Sequence, residues 1–279
     1  MRTLNCKGKI LDIREPVIMG IINVNDDSFF PGSRMTAIDA IVQRAGMMVD
    51  SGAAILDLGG ASTRPGAQDI GAKEEIRRVI PAIRAIHEAY PDAIISVDTF
   101  HVPVAEKAIA EGASLINDIS GGDIDPEMPY LALQHKCPYI IMHMQGRPPT
   151  MQVDPRYDDV LAEVLDYFIA KSEKMRSIGL ADIIFDPGFG FGKTLEHNYT
   201  LLNNMQVFRI LEKPVLAGLS RKGMLWRPLH ASPEEVLPAT IAVNLLALQK
   251  GASILRVHDV KENMQLLKTF KLIKQHESN

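Results

Sequence analysis

Apolar and polar positions follow a repeating rhythm along this chain. A short apolar run ends in a polar patch, and a longer stretch follows in which apolar residues return every three or four positions. Eight such apolar runs occur, at 17–24, 54–58, 93–97, 114–119, 138–142, 182–185, 214–219 and 253–257. Runs of this length bounded by polar residues suit buried strands, and the three-to-four spacing between them suits amphipathic helices. The helical stretches include 36–51, 72–90, 103–111, 159–178, 197–211 and 235–250. One phrase recurs: Gly52-Ala53-Ala54-Ile55-Leu56-Asp57, Gly112-Ala113-Ser114-Leu115-Ile116-Asn117 and Gly251-Ala252-Ser253-Ile254-Leu255-Arg256. In each, a glycine fit to end a helix in the left-handed conformation precedes an apolar run. Ser232-Pro233-Glu234-Glu235 has capping-box spacing and a proline suited to a first helical turn. Pro238 suits a restart of the main helix there.

Eight strands alternating with helices predict a parallel (β/α)8 TIM barrel, with a doubly wound open sheet as the alternative. Eight consecutive units favour closure. The expected organisation is one domain over residues 1–279, with 1–15 as a short N-terminal extension and 275–279 as a frayed tail.

Composition narrows the class. A hydrophobic content of 46% supports a large core. The net charge of −4 gives no overall basic character for nucleic acid or an anionic membrane. Cys6 and Cys137 are far apart and lack ligand-like spacing with histidine, so two buried thiols in a reducing compartment are expected. The first residues, MRTLNCKGKILDIREP, carry scattered charges unlike a secretory signal, and no apolar run is long enough to span a bilayer. A cytoplasmic protein without nucleic-acid or membrane partners is expected.

The chemistry gathers where the apolar runs stop: Asn23, Ser62-Thr63-Arg64, Asp98, Asn117, His143, Asp186, Ser220-Arg221-Lys222 and Arg256-Val257-His258. In a barrel these strand ends converge on one mouth. Asp186-Pro187-Gly188-Phe189-Gly190-Phe191-Gly192-Lys193-Thr194 resembles a phosphate loop only superficially. A P-loop needs four residues between its first glycine and its Gly-Lys pair, whereas only three lie between Gly188 and Gly192, and Asp186 sits where a polyanion would pack. A carboxylate there could pair with a planar heterocycle carrying an amino group beside a ring N–H, as could Asp98, with the amide of Asn117 alongside. The blander reading of Asp98 is a cap on the following helix, and Asp57 could simply hydrogen-bond within the barrel. Arg64, Lys222, Arg256 and His258 could clamp a multiply charged anion, or be solvated surface groups. Asn23 could give one oxygen to Mg²⁺ or form a turn.

In order along the chain, the mouth segments are Met19-Gly20-Ile21-Ile22-Asn23-Val24, Asp27-Ser28-Phe29, Ser62-Thr63-Arg64-Pro65-Gly66-Ala67, Ser96-Val97-Asp98-Thr99, Asn117-Asp118-Ile119, Met142-His143-Met144-Gln145-Gly146, the glycine loop above, Ser220-Arg221-Lys222 and Arg256-Val257-His258-Asp259. As an ordered set they resemble the dihydropteroate synthase family, from about Ile18 to Glu262. The resemblance implies condensation of 6-hydroxymethyl-7,8-dihydropterin diphosphate with 4-aminobenzoate, giving 7,8-dihydropteroate and diphosphate in folate biosynthesis. It further implies that Asp98, Asn117, Asp186 and Lys222 hold the pterin, and that Thr63, Arg256 and His258 hold the diphosphate, with Asn23 on Mg²⁺. Lys222, Arg256 and His258 would be catalytic. Arg64, Phe191 and Ser220 would meet 4-aminobenzoate, the subsite that sulfonamides target, and a homodimer is implied.

Two positions depart from the family pattern. The first loop reads Asn25-Asp26-Asp27-Ser28-Phe29-Phe30-Pro31, which changes where the loop is stiff, and Val236 stands where arginine is common. A pterin-dependent, methyltetrahydrofolate-corrinoid type methyltransferase would share the acids but needs no diphosphate clamp. A non-catalytic pterin-binding protein is the alternative of a different class.

Overall fold

The computed structural model describes residues 3–24, 34–61, 70–147 and 150–276, with 34–36 followed by backbone alone. Among these, eight parallel strands form the barrel: β3 (Val17–Asn23), β4 (Ile55–Gly59), β5 (Ile94–Asp98), β6 (Leu115–Asp118), β7 (Tyr139–Met142), β8 (Ile183–Asp186), β9 (Leu216–Ala217) and β10 (Ile254–Val257). They run in the order β9-β10-β3-β4-β5-β6-β7-β8. Closure comes from a parallel bridge between Phe185 and Val215, where the Phe185 N–H donates to the Pro214 carbonyl at 2.9 Å. The TIM-barrel expectation holds, and the open sheet does not.

Helices α1 (Arg34–Asp50), α2 (Gly71–Ala89), α3 (Val102–Ala110), α4 (Met128–His135), α5 (Val160–Ile178), α6 (Leu195–Asn204), α7 (Gly223–Trp226), α8 (Leu237–Gln249) and α9 (Val260–Gln275) lie between and after the strands. The recurring glycine phrase is a shared helix stop. Gly52, Gly112 and Gly251 adopt φ of +100°, +117° and +103°. The next residue's N–H reaches back five positions each time, from Ala53 to Met48, Ala113 to Ala108 and Ala252 to Ala247, all at 2.9 Å. This is the Schellman pattern, which satisfies a terminal carbonyl and turns the chain into the next strand.

Three local expectations change. The helix expected at 197–211 ends at Asn204, and Met205–Leu211 continues as a 3-10 helix. Ser232–Glu235 forms a turn and no helix, although the Ser232 N–H does donate to the Glu235 carboxylate as in a capping box, and α8 starts at Leu237 with Pro238 in its first turn, the restart expected there. The seventh strand is short because Arg221, at φ +56°, and a Lys222 N–H to Leu219 carbonyl bond turn the chain out of the sheet. Val236 is buried just before α8 and belongs to the core.

The N-terminal extension is a hairpin, β1 (Thr3–Cys6) with β2 (Lys9–Asp12). Leu4, Cys6, Leu11 and Ile13 pack on Met19, Ile55, Ile94, Leu115, Ile140, Ile184, Leu216 and Ile254, one residue from each barrel strand. The hairpin thus closes the bottom of the barrel. Cys6 and Cys137 are free and buried, and burial pushes both thiols up to about 12. Such thiols are inert packing groups. α9 runs through Gln275, the first residue of the expected frayed tail, and the described chain ends at His276, so residues 277–279 lie outside the described residues. No helix among the described residues is long and apolar enough to cross a membrane.

Candidate active site

Side chains alternate across a strand, so a residue two positions beyond a floor residue also points into the barrel. From Ile55 that step gives Asp57, from Leu115 Asn117, from Ile184 Asp186 and from Ile254 Arg256. On β5 the series runs Ile94, Ser96, Asp98. One pleat above an apolar floor, the interior becomes charged.

Arg256 organises this layer. Its Nε donates to Asp57 Oδ2 and its Nη2 to Asp98 Oδ2, each at 2.6 Å. Asn117 donates to the same Asp57 oxygen at 3.1 Å. Asp57 therefore does bond within the barrel, and its partners are two of the expected binding residues. Its Oδ1 is buried without a partner among the described residues. Asp98 does not serve as the cap of α3, which begins after His101. Burial pushes the Asp98 carboxyl up to about 7, against the pull of Arg256. Asp186 is likewise raised by burial, with the Lys222 ammonium foremost among the groups opposing it. Lys222 falls to about 8 because burial outweighs Asp186. The layer holds acids and bases whose charges depend on one another.

Beside Lys222 the motif divides its labour. Arg221 turns away from the mouth, gripping Asp259 through two bonds at 2.9 and 2.7 Å and the Pro233 carbonyl at 3.0 Å. Ser220 Oγ lies 3.0 Å from His258 Nδ1 and accepts from the His258 N–H at 3.2 Å. Burial first, then Arg256, lowers His258 to about 4, so its imidazole is neutral at physiological pH.

The glycine loop after β8 is built around cations rather than anions. Gly188, Gly190 and Gly192 have φ of +68°, +80° and +60°. A Cβ on Gly188 would sit 2.0 Å from the His143 carbonyl oxygen, and one on Gly192 would sit 2.3 Å from that of Gln145. Glycine is required at both positions. Every carbonyl from Gly188 to Gly192 accepts a side-chain bond. Lys193 donates to Gly188 (3.1 Å) and Phe191 (3.0 Å), and Tyr157 donates to Gly192 (2.8 Å). Lys222 donates to Phe189 and Gln152 to Gly190. Asp186 and Asn198 take the N–H groups of Gly188 and Gly190 at 2.8 and 2.6 Å. The Lys222 ammonium lies 4.3 Å from the centroid of the Phe191 ring. That ring packs with Ile119, Met142 and Met151, with Phe100 and Met144 against the cluster, forming an apolar wall beside the charged layer.

Asp98, Asn117, Asp186, Lys222, Arg256, Ser220, His258 and Phe191 are thus brought to one mouth. Asn23 ends β3, is exposed, and pairs in register with Gly59. Thr63 and Arg64 lie outside the described residues, as do Pro65, Gly66 and Asn25 to Ser33 of the first loop. Among the described residues no group of three or more His, Cys, Asp or Glu is placed to hold a metal. Sequence reasoning passed over Asp57 as a hub, Lys193 as a loop clasp, and Tyr157, Gln152 and Asn198. Only Asp57 carried a usable signal, since it shares the inward phase of Asp98 on the neighbouring strand.

Residues 19–258 match the pterin binding enzyme family. The dihydropteroate synthase of Escherichia coli strain K12 is 42% identical over 267 residues, covering 95% of this chain and 94% of that protein. A structure of Xanthomonas albilineans dihydropteroate synthase with 4-aminobenzoic acid superposes with a TM-score of 0.90 at 37% identity, covering 98% of each chain. That of Yersinia pestis dihydropteroate synthase with a sulfonamide drug gives 0.91 at 37% identity, covering 98% of this chain and 99% of the other.

Proposed function

The chain belongs to the dihydropteroate synthase family of pterin-binding enzymes, and from that premise we propose how its own side chains divide the reaction. It is a transferase that condenses 6-hydroxymethyl-7,8-dihydropterin diphosphate with 4-aminobenzoate, giving 7,8-dihydropteroate and diphosphate. The aryl amine nitrogen bonds to the pterin methylene carbon as the carbon–oxygen bond breaks. Diphosphate leaves with the electron pair, and the amine gives up a proton. Aryl amines are modest nucleophiles, so stabilising the leaving group matters most.

Asp186, Asp98 and Asn117 read the pterin edge, with Lys222 beside them. Arg256 and His258, with Thr63, hold the diphosphate. His258, being neutral, contributes hydrogen bonding, and Arg256 supplies charge. Phe191, Ser220 and Arg64 receive 4-aminobenzoate, and a sulfonamide would compete there. Asn23 offers one neutral amide oxygen. That suits Mg²⁺, which keeps water and takes other oxygens from a diphosphate, so no carboxylate cage is needed. When bound, the ion neutralises charge on the leaving diphosphate.

The observation that carries this reading is the inward layer of Asp98, Asn117 and Asp186 held beside Lys222 and Arg256. A methyltransferase would not need the cations. A coupled diphosphate-release assay with both substrates tests it: release should require both, and release with neither or only one would defeat the assignment. The buried free thiols fit a reducing cytoplasm. A homodimer is supported by α8, where Leu246 is exposed and Ile241 and Leu245 are half-buried on an apolar helix. Light scattering on the native protein and on Leu246→Glu tests that assembly.

A further inference from the structure

Lys193 follows the last glycine of the glycine-rich motif and has no part in the reaction as assigned above. Only 3% exposed, it does not reach into the mouth. Its Nζ lies among four acceptors: the carbonyls of Phe191 (3.0 Å), Gly188 (3.1 Å) and His143 (3.2 Å), and Nδ1 of His143 at 3.0 Å. Burial lowers this amine to about 7 against the pull of Asp186, and protonated or neutral it still donates to these oxygens. Burial and the neighbouring Lys193 lower His143 to about 3, so the ring is neutral and its Nδ1 accepts. Three carbonyl oxygens converging on one point repel one another unless a donor lies between them. Two of these belong to the loop after β8 and one to the end of β7, so Nζ clasps two neighbouring loops. The left-handed glycines aim the loop carbonyls inward, and Gly188 lets the loop approach the His143 carbonyl. The same Lys193 bond fixes the backbone of Phe191, whose ring faces the mouth beside Lys222.

We propose that Lys193 is a positioning residue of the aminobenzoate subsite, acting through the glycine loop that presents Phe191. The inference rests on the assignment of Phe191 to 4-aminobenzoate. Asp186, by contrast, is held by strand β8 itself and lies before the loop, and Lys193 acts on its carboxylate less than Lys222 and Arg256 do, so pterin binding should depend far less on the clasp.

The test is Lys193→Met, which keeps the length of the alkyl chain and removes the donors, measured beside Phe191→Ala. Diphosphate release is followed while each substrate is varied, and pterin diphosphate affinity is measured by calorimetry. The KM for 4-aminobenzoate should rise about tenfold or more in Lys193→Met, the scale of one charge-assisted hydrogen bond, while pterin diphosphate affinity stays within about twofold. Equal losses for both substrates, or no change in either, would show Lys193 to be structural only and overturn the inference. An unmoved 4-aminobenzoate KM in Phe191→Ala would overturn the ring assignment and the inference with it. A raised KM in Phe191→Ala alone would overturn the inference and leave the assignment standing. Should Lys193→Met fail to fold, Lys193→Gln, which retains two donors, is measured in the same way: a smaller rise confined to the 4-aminobenzoate KM is expected, and equal losses for both substrates or no change in either would overturn the inference.

Discussion

On β10, Ile254 and Arg256 are two residues apart, share one backbone register with β3, and point into the same barrel. Ile254 lies on a floor closed by the N-terminal hairpin, among side chains that are all apolar or thiol. Arg256 lies at the mouth between two carboxylates. The same contrast separates Ile184 from Asp186 and Ile55 from Asp57. The floor gains stability from burial, roughly 1.5–3 kcal/mol for each large apolar side chain. In the mouth, burial opposes charge, as the raised Asp98 and Asp186 and the lowered Lys222 record. Strands built for packing therefore hold, one pleat higher, charges that water would otherwise disperse. Stability and chemistry divide along each strand rather than between separate parts of the chain.

Arg256→Ala puts the greatest stress on that division. It should reduce kcat/KM by on the order of 10²–10³-fold, the scale of losing a charged stabiliser of the leaving group. It also leaves Asp57 and Asp98 facing each other without their cation, so a lower melting temperature should accompany the loss. Arg256→Lys should recover only part of the activity, because a point charge cannot reproduce the fork. Normal turnover in Arg256→Ala would mean the guanidinium is merely structural. Ile254→Ala, two residues away, should do the reverse. A floor cavity should cost about 3 kcal/mol of unfolding free energy, while kcat/KM of the folded protein stays within about twofold. A large fall in kcat/KM there, measured well below the melting temperature, would show that floor and mouth are not separable.

Asp186→Asn is a smaller, cleaner probe of the mouth. An amide can still accept from the Gly188 N–H, which the carboxylate now does at 2.8 Å, so the loop should survive. It cannot accept two ring protons on a charged edge, and pterin diphosphate affinity should fall by about 2 kcal/mol, roughly thirtyfold. Calorimetry showing unchanged affinity would remove Asp186 from the pterin subsite.

What the sequence disclosed follows the same division. The eight strands were readable because each apolar run ends in polar residues, and Asp98, Asn117, Asp186 and Arg256 were readable because they stand at those ends. The β1–β2 hairpin looked like a charged extension because Leu4, Cys6, Leu11 and Ile13 find their partners only on the barrel floor. No local pattern reports that contact. Asp57 looked like a lone polar residue on an apolar strand, since Arg256, its partner, is distant in the chain. Lys193 was the hardest to read. Beside glycines it suggests phosphate, yet the left-handed conformations of Gly188, Gly190 and Gly192 turn carbonyls toward it. Its role depends on where backbone oxygens point, and composition does not encode that.

The gentlest way to separate the two layers is pH. Lys222 titrates at about 8, lowered chiefly by burial, whereas an ordinary lysine titrates near 10.4. Below about 8 it is an ammonium beside Asp186 and can meet an electron-rich pterin edge. As pH rises through 8 the charge is lost, so affinity for pterin diphosphate should decline by at most about tenfold per unit. Ile254→Ala should show the same profile at lower overall stability, because the floor holds no group that titrates there. Lys222→Arg should abolish the alkaline decline, whatever its affinity at neutral pH, since guanidinium keeps its proton. Calorimetric titrations from about pH 7 to pH 9.5 bracket the lowered value of Lys222 and stay below that of an ordinary lysine. A decline that persists unchanged in Lys222→Arg would assign it to another group and detach Lys222 from the charged layer.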